Sequence, residues 1–155
     1  SVENRSRLMR EVVGAVNDVL PDDKALCVRV SGEEYLPEGL HPEDLSEMIN
    51  LIPEGQVDAI HVSSGGLVNV HIAVFPGYQV PPAEKIKALT SLPVITGGMI
   101  HSPALANEII ANGRADFVFV GRGLLYDAAW VVKAQKTLGH EPQWPKPYAA
   151  ALSRF

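Results

Sequence analysis

Apolar positions along this chain follow two rhythms that take turns. From Glu3 to Leu20 the residues Leu8, Val12, Val13, Val16 and Val19 recur at helical spacing, with Arg5, Arg7, Arg10 and Glu11 on the other faces, so an amphipathic helix is predicted. Ser1 stands where an N-cap belongs and Pro21 follows the end of the pattern. The run Ala25-Leu26-Cys27-Val28-Arg29-Val30-Ser31 is rich in β-branched residues and too short for a stable helix. It predicts a strand covered on both faces.

The alternation then repeats. A helix is predicted from Pro42 to Ile52, where Pro42 suits the first turn and Glu43 and Asp44 favour a helix N-terminus. Asp58 to Ser63 forms the second strand. A long loop with Pro76, Gly77, Pro81 and Pro82 leads to a helix from Ala83 to Leu89 and a third strand from Pro93 to Thr96. The helix from Pro103 to Asn112 closes on Gly113 as a left-handed C-cap. Phe117-Val118-Phe119-Val120 is the fourth strand, and Leu124 to Leu138 is helical again. The tail from Gly139 is predicted to be extended, because Pro142, Pro145 and Pro147 each remove a backbone donor. Four strands alternating with helices, each strand an apolar run, predict an α/β fold with a parallel sheet and right-handed crossovers. Residues 1–138 form that unit and 139–155 the tail.

Composition narrows the function. With 155 residues, nearly half apolar and a fifth charged, the chain can bury a core. Its net charge of -5 is scattered, and no stripe of Lys and Arg invites nucleic acid. Cys27 is the single cysteine and has no internal partner, which predicts a reducing compartment, the cytosol. The longest apolar runs fall far short of the roughly 20 residues that cross a bilayer, and the first segment has no signal-peptide core.

Each strand ends in a polar or glycine-rich cluster: Arg29 to Gly32, Ser63 to Gly66, Thr96 to Gly98, and Gly121 to Gly123. In parallel α/β folds the site lies at these carboxyl ends. Gly98 and Gly121 leave room for a ligand to approach the backbone, and Arg122 adds a charged clamp suited to phosphate. For one such cluster, turn glycines and a solvated arginine are the simpler account; two in successive units favour a phosphate site. Arg29, inside a strand, needs either an anion or electron-rich ring, or an acid such as Glu33 or Asp58. His41, His61, His71, His101 and His140 lack zinc-site spacing and read as surface or satisfied core histidines, so no metal is expected. Ser63-Ser64-Gly65-Gly66 lacks the nucleophile-elbow pattern.

Ser1-Val2-Glu3-Asn4-Arg5 with Arg7, Val28-Arg29-Val30-Ser31, Ser63-Ser64-Gly65, Phe75-Pro76-Gly77-Tyr78-Gln79-Val80, Gly98-Met99-Ile100, and Asn112-Gly113-Arg114-Ala115-Asp116 to Gly121-Arg122 occur in this order. Together they resemble the old yellow enzyme family, specifically its bacterial branch of NADPH-dependent ene-reductases, over nearly the whole chain. The resemblance implies an FMN-containing (β/α)8 TIM barrel in which this chain supplies the C-terminal half, strands five to eight. It implies that Arg29 lies beside the pyrimidine edge of the flavin ring, where a cation stabilises the negative charge of the reduced form. Gly98, Gly121 and Arg122 would hold the FMN phosphate, with Ser63 and Gln79 nearby. Family enzymes take hydride from NADPH and deliver it to alkenes conjugated to a carbonyl or nitro group.

The family's substrate-gripping His pair, its proton-donating tyrosine and its flavin-tuning cysteine have no counterpart here. The resemblance therefore implies an N-terminal half as companion, as a separate or cleaved chain, and a homo-oligomer of complete barrels. In this branch the tail of one subunit presents an arginine to its neighbour's site, and Ser153-Arg154-Phe155 is similar to that ending, which implicates Arg154 in substrate binding. Gly123 and Ala128 depart from the family's usual acid and proline. Two rivals stand beside this reading: a non-catalytic phosphate-binding α/β module, and another FMN-dependent barrel dehydrogenase.

Overall fold

Consecutive strand-helix units build the chain, and the computed structural model describes residues 1–144 and 146–152. Helix α1 (Val2–Asn17) comes first, with the Ser1 hydroxyl accepting from the Asn4 N–H as an N-cap. Then come β1 (Cys27–Ser31), α2 (Pro42–Ile49), β2 (Ala59–Ser63), α3 (Val80–Leu89), β3 (Val94–Thr96), α4 (Pro103–Ala111) and β4 (Phe117–Val118). Helices α5 (Arg122–Tyr126), α6 (Trp130–Thr137) and α7 (Lys146–Leu152) follow. The strands form one sheet in the order β1-β2-β3-β4, each parallel to the next.

Register sorts the side chains into two faces. Val28, Ile60 and Val94 are partners in one row, and Arg29, His61, Ile95 and Phe117 in the adjacent row. Successive residues of a strand point to opposite sides, so these rows face opposite ways. The first face holds the core: Val30, Ile60, Val62 and Val94 pack against Leu45, Met48 and Ile49 of α2 and Ala83 and Ile86 of α3. Each of the Val, Leu, Ile and Met side chains among them stabilises the fold by about 1.5–3 kcal/mol relative to exposure. A second cluster of Val80, Ile100, Ala106, Ile109 and Ala115 seats α4.

The opposite face corrects the expectation of strands covered on both sides. Cys27 and Arg29 are exposed and Phe117 keeps 57% of its surface, because the core forms against the other face and, among the described residues, no second layer lies over this one. The stripe of α1 is likewise half covered: Val13 is buried, whereas Leu8 is 73% and Val12 52% exposed. These two line an apolar groove with Met9, Val16, Leu26 and Cys27, beside the free edge of β1.

Other corrections are local. Helix α3 starts at Val80 rather than Ala83, since Pro81 and Pro82 sit in its first turn, where a missing N–H costs no hydrogen bond. The expected helix over 124–138 is two helices, broken at Asp127, whose carboxylate accepts from the Ala129 N–H at 3.1 Å and from Lys133 Nζ at 2.8 Å. The tail is not extended throughout: residues 146–152 are helical, with Pro147 in the first turn followed by three alanines, the best helix formers. Gly113 does adopt the left-handed cap, at φ 68°. Among the described residues no helix is long and apolar enough to cross a membrane.

Candidate functional site

Glycine geometry shapes the carboxyl ends of β3 and β4. Directly after β3, Gly97 lies against the Phe119 ring, and a Cβ there would collide with it. Gly98 has φ +92°, a conformation that favours glycine, and a Cβ would come within 2.9 Å of Gln79 Cγ. Its carbonyl accepts from the Gly77 N–H at 2.7 Å, which ties this turn to the loop before α3. Met99 also adopts a positive φ, 54°, a strained state for a residue with a side chain and one that concentrates at functional sites. On the neighbouring strand the Phe119 N–H donates to Thr96 O at 2.7 Å, and Gly121 then caps α5, its carbonyl accepting from Leu124 N–H at 3.0 Å. A Cβ on Gly121 would meet no atom within 4 Å, so its backbone borders open space.

These turns enclose a cavity of about 240 Å³, and Arg29, Gln79, Gly98, Gly121 and Arg122 all line it. The sequence therefore placed five of six expected cofactor-binding residues around one space. Ser63 is the sixth and does not line it; its hydroxyl donates to Val30 O at 3.2 Å instead. Arg154 lies outside the described residues. Arg29, His101 and Arg122 are basic, and no Asp or Glu is in the lining. In a chain of net charge -5, this local balance favours an anion in the cavity.

Neither acid proposed for Arg29 is its partner. Asp58 caps Leu26, accepting its N–H at 2.7 Å, and Glu33 accepts from the Tyr35 N–H at 2.8 Å and meets His41 Nδ1 at 3.0 Å. Arg29 instead places Nη1 3.4 Å from His61 Nε2, and its guanidinium carbon lies 5.5 Å from the centre of the Phe119 ring. Burial and then the Arg29 charge push the His61 pKa below the ordinary imidazole value. The Glu33 hydrogen bond and then its charge raise that of His41.

Glu33 also braces the rim. The Gly65 N–H donates to its carbonyl at 2.8 Å, and the Tyr35 and Ser64 hydroxyls meet at 2.9 Å. Tyr35 is held at φ 61° by these contacts. Gln79 is buried and fixes the floor: its carbonyl accepts from Thr96 Oγ1 at 3.2 Å.

Sequence reasoning missed His61, Phe119 and His101, which it treated as framework or surface. A signal for His61 was present, because Val28-Arg29-Val30-Ser31 and Ile60-His61-Val62-Ser63 place Arg29 and His61 equally far from a strand-ending serine. In parallel register that makes them neighbours. His101 lines the cavity while its carbonyl accepts from Trp130 Nε1 at 2.9 Å, a contact between residues distant in sequence. Among the described residues no group of three or more His, Cys, Asp or Glu is placed to hold a metal.

The family match and the sequence relatives agree on one family. Residues 1–141 match the model of the NADH:flavin oxidoreductase / NADH oxidase family. An NADPH dehydrogenase of Clostridium acetobutylicum is 38% identical over 154 residues, 99% of this chain and 45% of that protein. Those of Geobacillus thermodenitrificans and Bacillus subtilis are 42% and 43% identical, each over 96% of this chain and 43% of their own length. The chain thus spans less than half the length of these relatives. Among solved structures, a 2-naphthoyl-CoA reductase superimposes with TM-score 0.75 at 20% identity, over 90% of this chain and 22% of that one. A histamine dehydrogenase from Rhizobium sp. 4-9 gives 0.74 at 26% identity, over 88% and 20%.

Proposed function

Since the chain belongs to the NADH:flavin oxidoreductase / NADH oxidase family, that of the old yellow enzymes, we propose that it is the FMN-phosphate-binding half of an NADPH-dependent ene-reductase. In this reading β1 to β4 are strands five to eight of a (β/α)8 barrel. The observation that carries it is the cavity where Gly98, Gly121 and Arg122 meet, lined by basic residues and by no acid. Phosphate sites of such barrels are built from the loops after the last two strands.

The residues present fit FMN. Backbone at Gly121 is open to approach, Arg122 has no ion-pair partner among the described residues, and its guanidinium suits a phosphate dianion. Arg29 lines the same cavity and supplies a fixed positive charge for the flavin's pyrimidine edge. Bound FMN supplies the redox chemistry, accepting hydride from NADPH and passing it to an enone, enal or nitroalkene. The chain's part is to bind, orient and tune. Ser63 belongs to the strand framework in this assignment, through its bond to Val30.

The uncovered face of the sheet, the free edges of β1 and β4, and the groove beside α1 support a companion half that closes the barrel and brings the substrate-gripping groups. Residues 153–155 would reach a neighbouring subunit in a homo-oligomer of complete barrels, presenting Arg154 to substrate. The cytosol suits this chemistry and the single, unpaired cysteine.

Arg122→Ala should weaken FMN binding by about 2–3 kcal/mol, the worth of charged hydrogen bonds. Riboflavin, which lacks the phosphate, should bind wild type and variant alike. Equal FMN affinity in the two proteins, measured by flavin fluorescence, would remove the phosphate assignment. Bleaching of the bound flavin by NADPH and its recovery on adding an enone test the activity itself.

A further inference from the structure

Arg29 and His61 are register partners across β1 and β2, on the sheet face away from the core. A guanidinium only donates hydrogen bonds, so the 3.4 Å approach of Arg29 Nη1 to His61 Nε2 is attractive only while that nitrogen carries a lone pair. The imidazole stands 4.3 Å from the Phe119 ring, tilted by 59°, and the guanidinium lies over the same ring. Phe119 is itself seated on Gly97, a position with no space for a Cβ. Two neighbours, one on β2 and one just after β4, therefore hold one cation, the imidazole by its lone pair and the phenyl ring by its face.

The surroundings of His61 are one-sided. From β1 it faces Arg29, from β3 its register partner is Ile95, and from the segment just after β4 it meets Phe119. Among the described residues no carboxylate acts on it, and burial, then the Arg29 charge, push its pKa below the ordinary imidazole value. A protonated His61 would set a second cation against Arg29 with no acid to offset it.

We propose that His61 is a positioning residue that, as a neutral acceptor, fixes the Arg29 guanidinium against Phe119 and aims its remaining N–H groups into the cavity. The inference rests on the reading that Arg29 faces the flavin ring. His61 itself does not line the cavity, so it acts through Arg29 and does not touch the ligand.

The test uses the FMN-loaded complete enzyme and reads the midpoint potential of the bound flavin. Arg29→Ala should lower it. His61→Leu, which keeps bulk and removes the acceptor, should reproduce most of that drop, whereas His61→Gln, whose amide oxygen can accept, should retain the wild-type value. In the Arg29→Ala background, His61→Leu should add nothing. A wild-type potential in His61→Leu, or an equal drop with and without Arg29, would overturn the proposal while leaving the flavin reading intact. No effect of Arg29→Ala would instead sink the reading beneath it. Should His61→Leu fail to hold flavin, nitrogen NMR of the wild-type protein decides. At neutral pH His61 should carry its proton on Nδ1 and show an unprotonated Nε2 facing Arg29, and a proton on Nε2 there would refute it.

Discussion

At the scale of single residues, backbone conformation and hydrogen-bond capacity explain more than side-chain identity. Gly98 combines φ +92° with a neighbour that leaves no room for a methyl group. Gly98→Ala should therefore destabilise the fold by roughly 1–2 kcal/mol from the left-handed conformation alone, with a further loss as Gln79 is displaced. Thermal unfolding and FMN release should both register it, and a variant as stable and as tightly flavin-bound as wild type would contradict the geometry. His41 supplies a pH signature. Its pKa is raised by Glu33, so the contribution of the pair is complete below the unfolded imidazole value of about 6.5 and fades as pH climbs through the raised folded value. Glu33→Gln should bring the His41 midpoint, followed by proton NMR, down toward that ordinary value. A midpoint unchanged by the substitution would show that Glu33 is not its cause.

At the scale of elements, the strands were legible because runs such as Ala59-Ile60-His61-Val62-Ser63 are short and β-rich, and parallel pairing followed from the helices between them. What the sequence hid was cover. An apolar run looks the same whether its second face meets helices, other strands of the chain, or nothing within it, so the run alone predicts cover on both faces of β1, and the bare row of Cys27 and Arg29 is expected only from the half-barrel that the family resemblance implies. Helix α1 shows the same limit, since periodicity marks Leu8, Val12 and Val13 as one stripe while packing buries Val13 alone. The candidate site was legible where glycine and arginine mark the ends of strands. It was hidden where a cross-strand neighbour decides, as at Phe119 and His61. A consequence for α1 is testable. Leu8 is so exposed that Leu8→Asp should leave the melting temperature of the chain nearly unchanged, as surface substitutions do, within about 0.5 kcal/mol. If the companion half covers the groove, the same change should weaken its association by about 1.5–3 kcal/mol, the value of a buried leucine. Titration calorimetry with that half would read this, and undiminished affinity would place the companion elsewhere.

At the scale of the whole molecule, charge and architecture divide the labour. The chain as a whole is acidic, yet the cavity at the strand ends is lined by Arg29, His101 and Arg122 and by no acid, a local balance that favours an anionic ligand there. Core packing lies entirely between the sheet and its helices, which leaves the other surface of the sheet available without disturbing what holds the fold together. The strand order has a consequence for biogenesis. Because every strand pairs with the one immediately before it, no later segment has to be threaded between strands already joined. Each unit emerging from the ribosome can dock on its predecessor, and no strand pairing has to wait for more than one intervening helix.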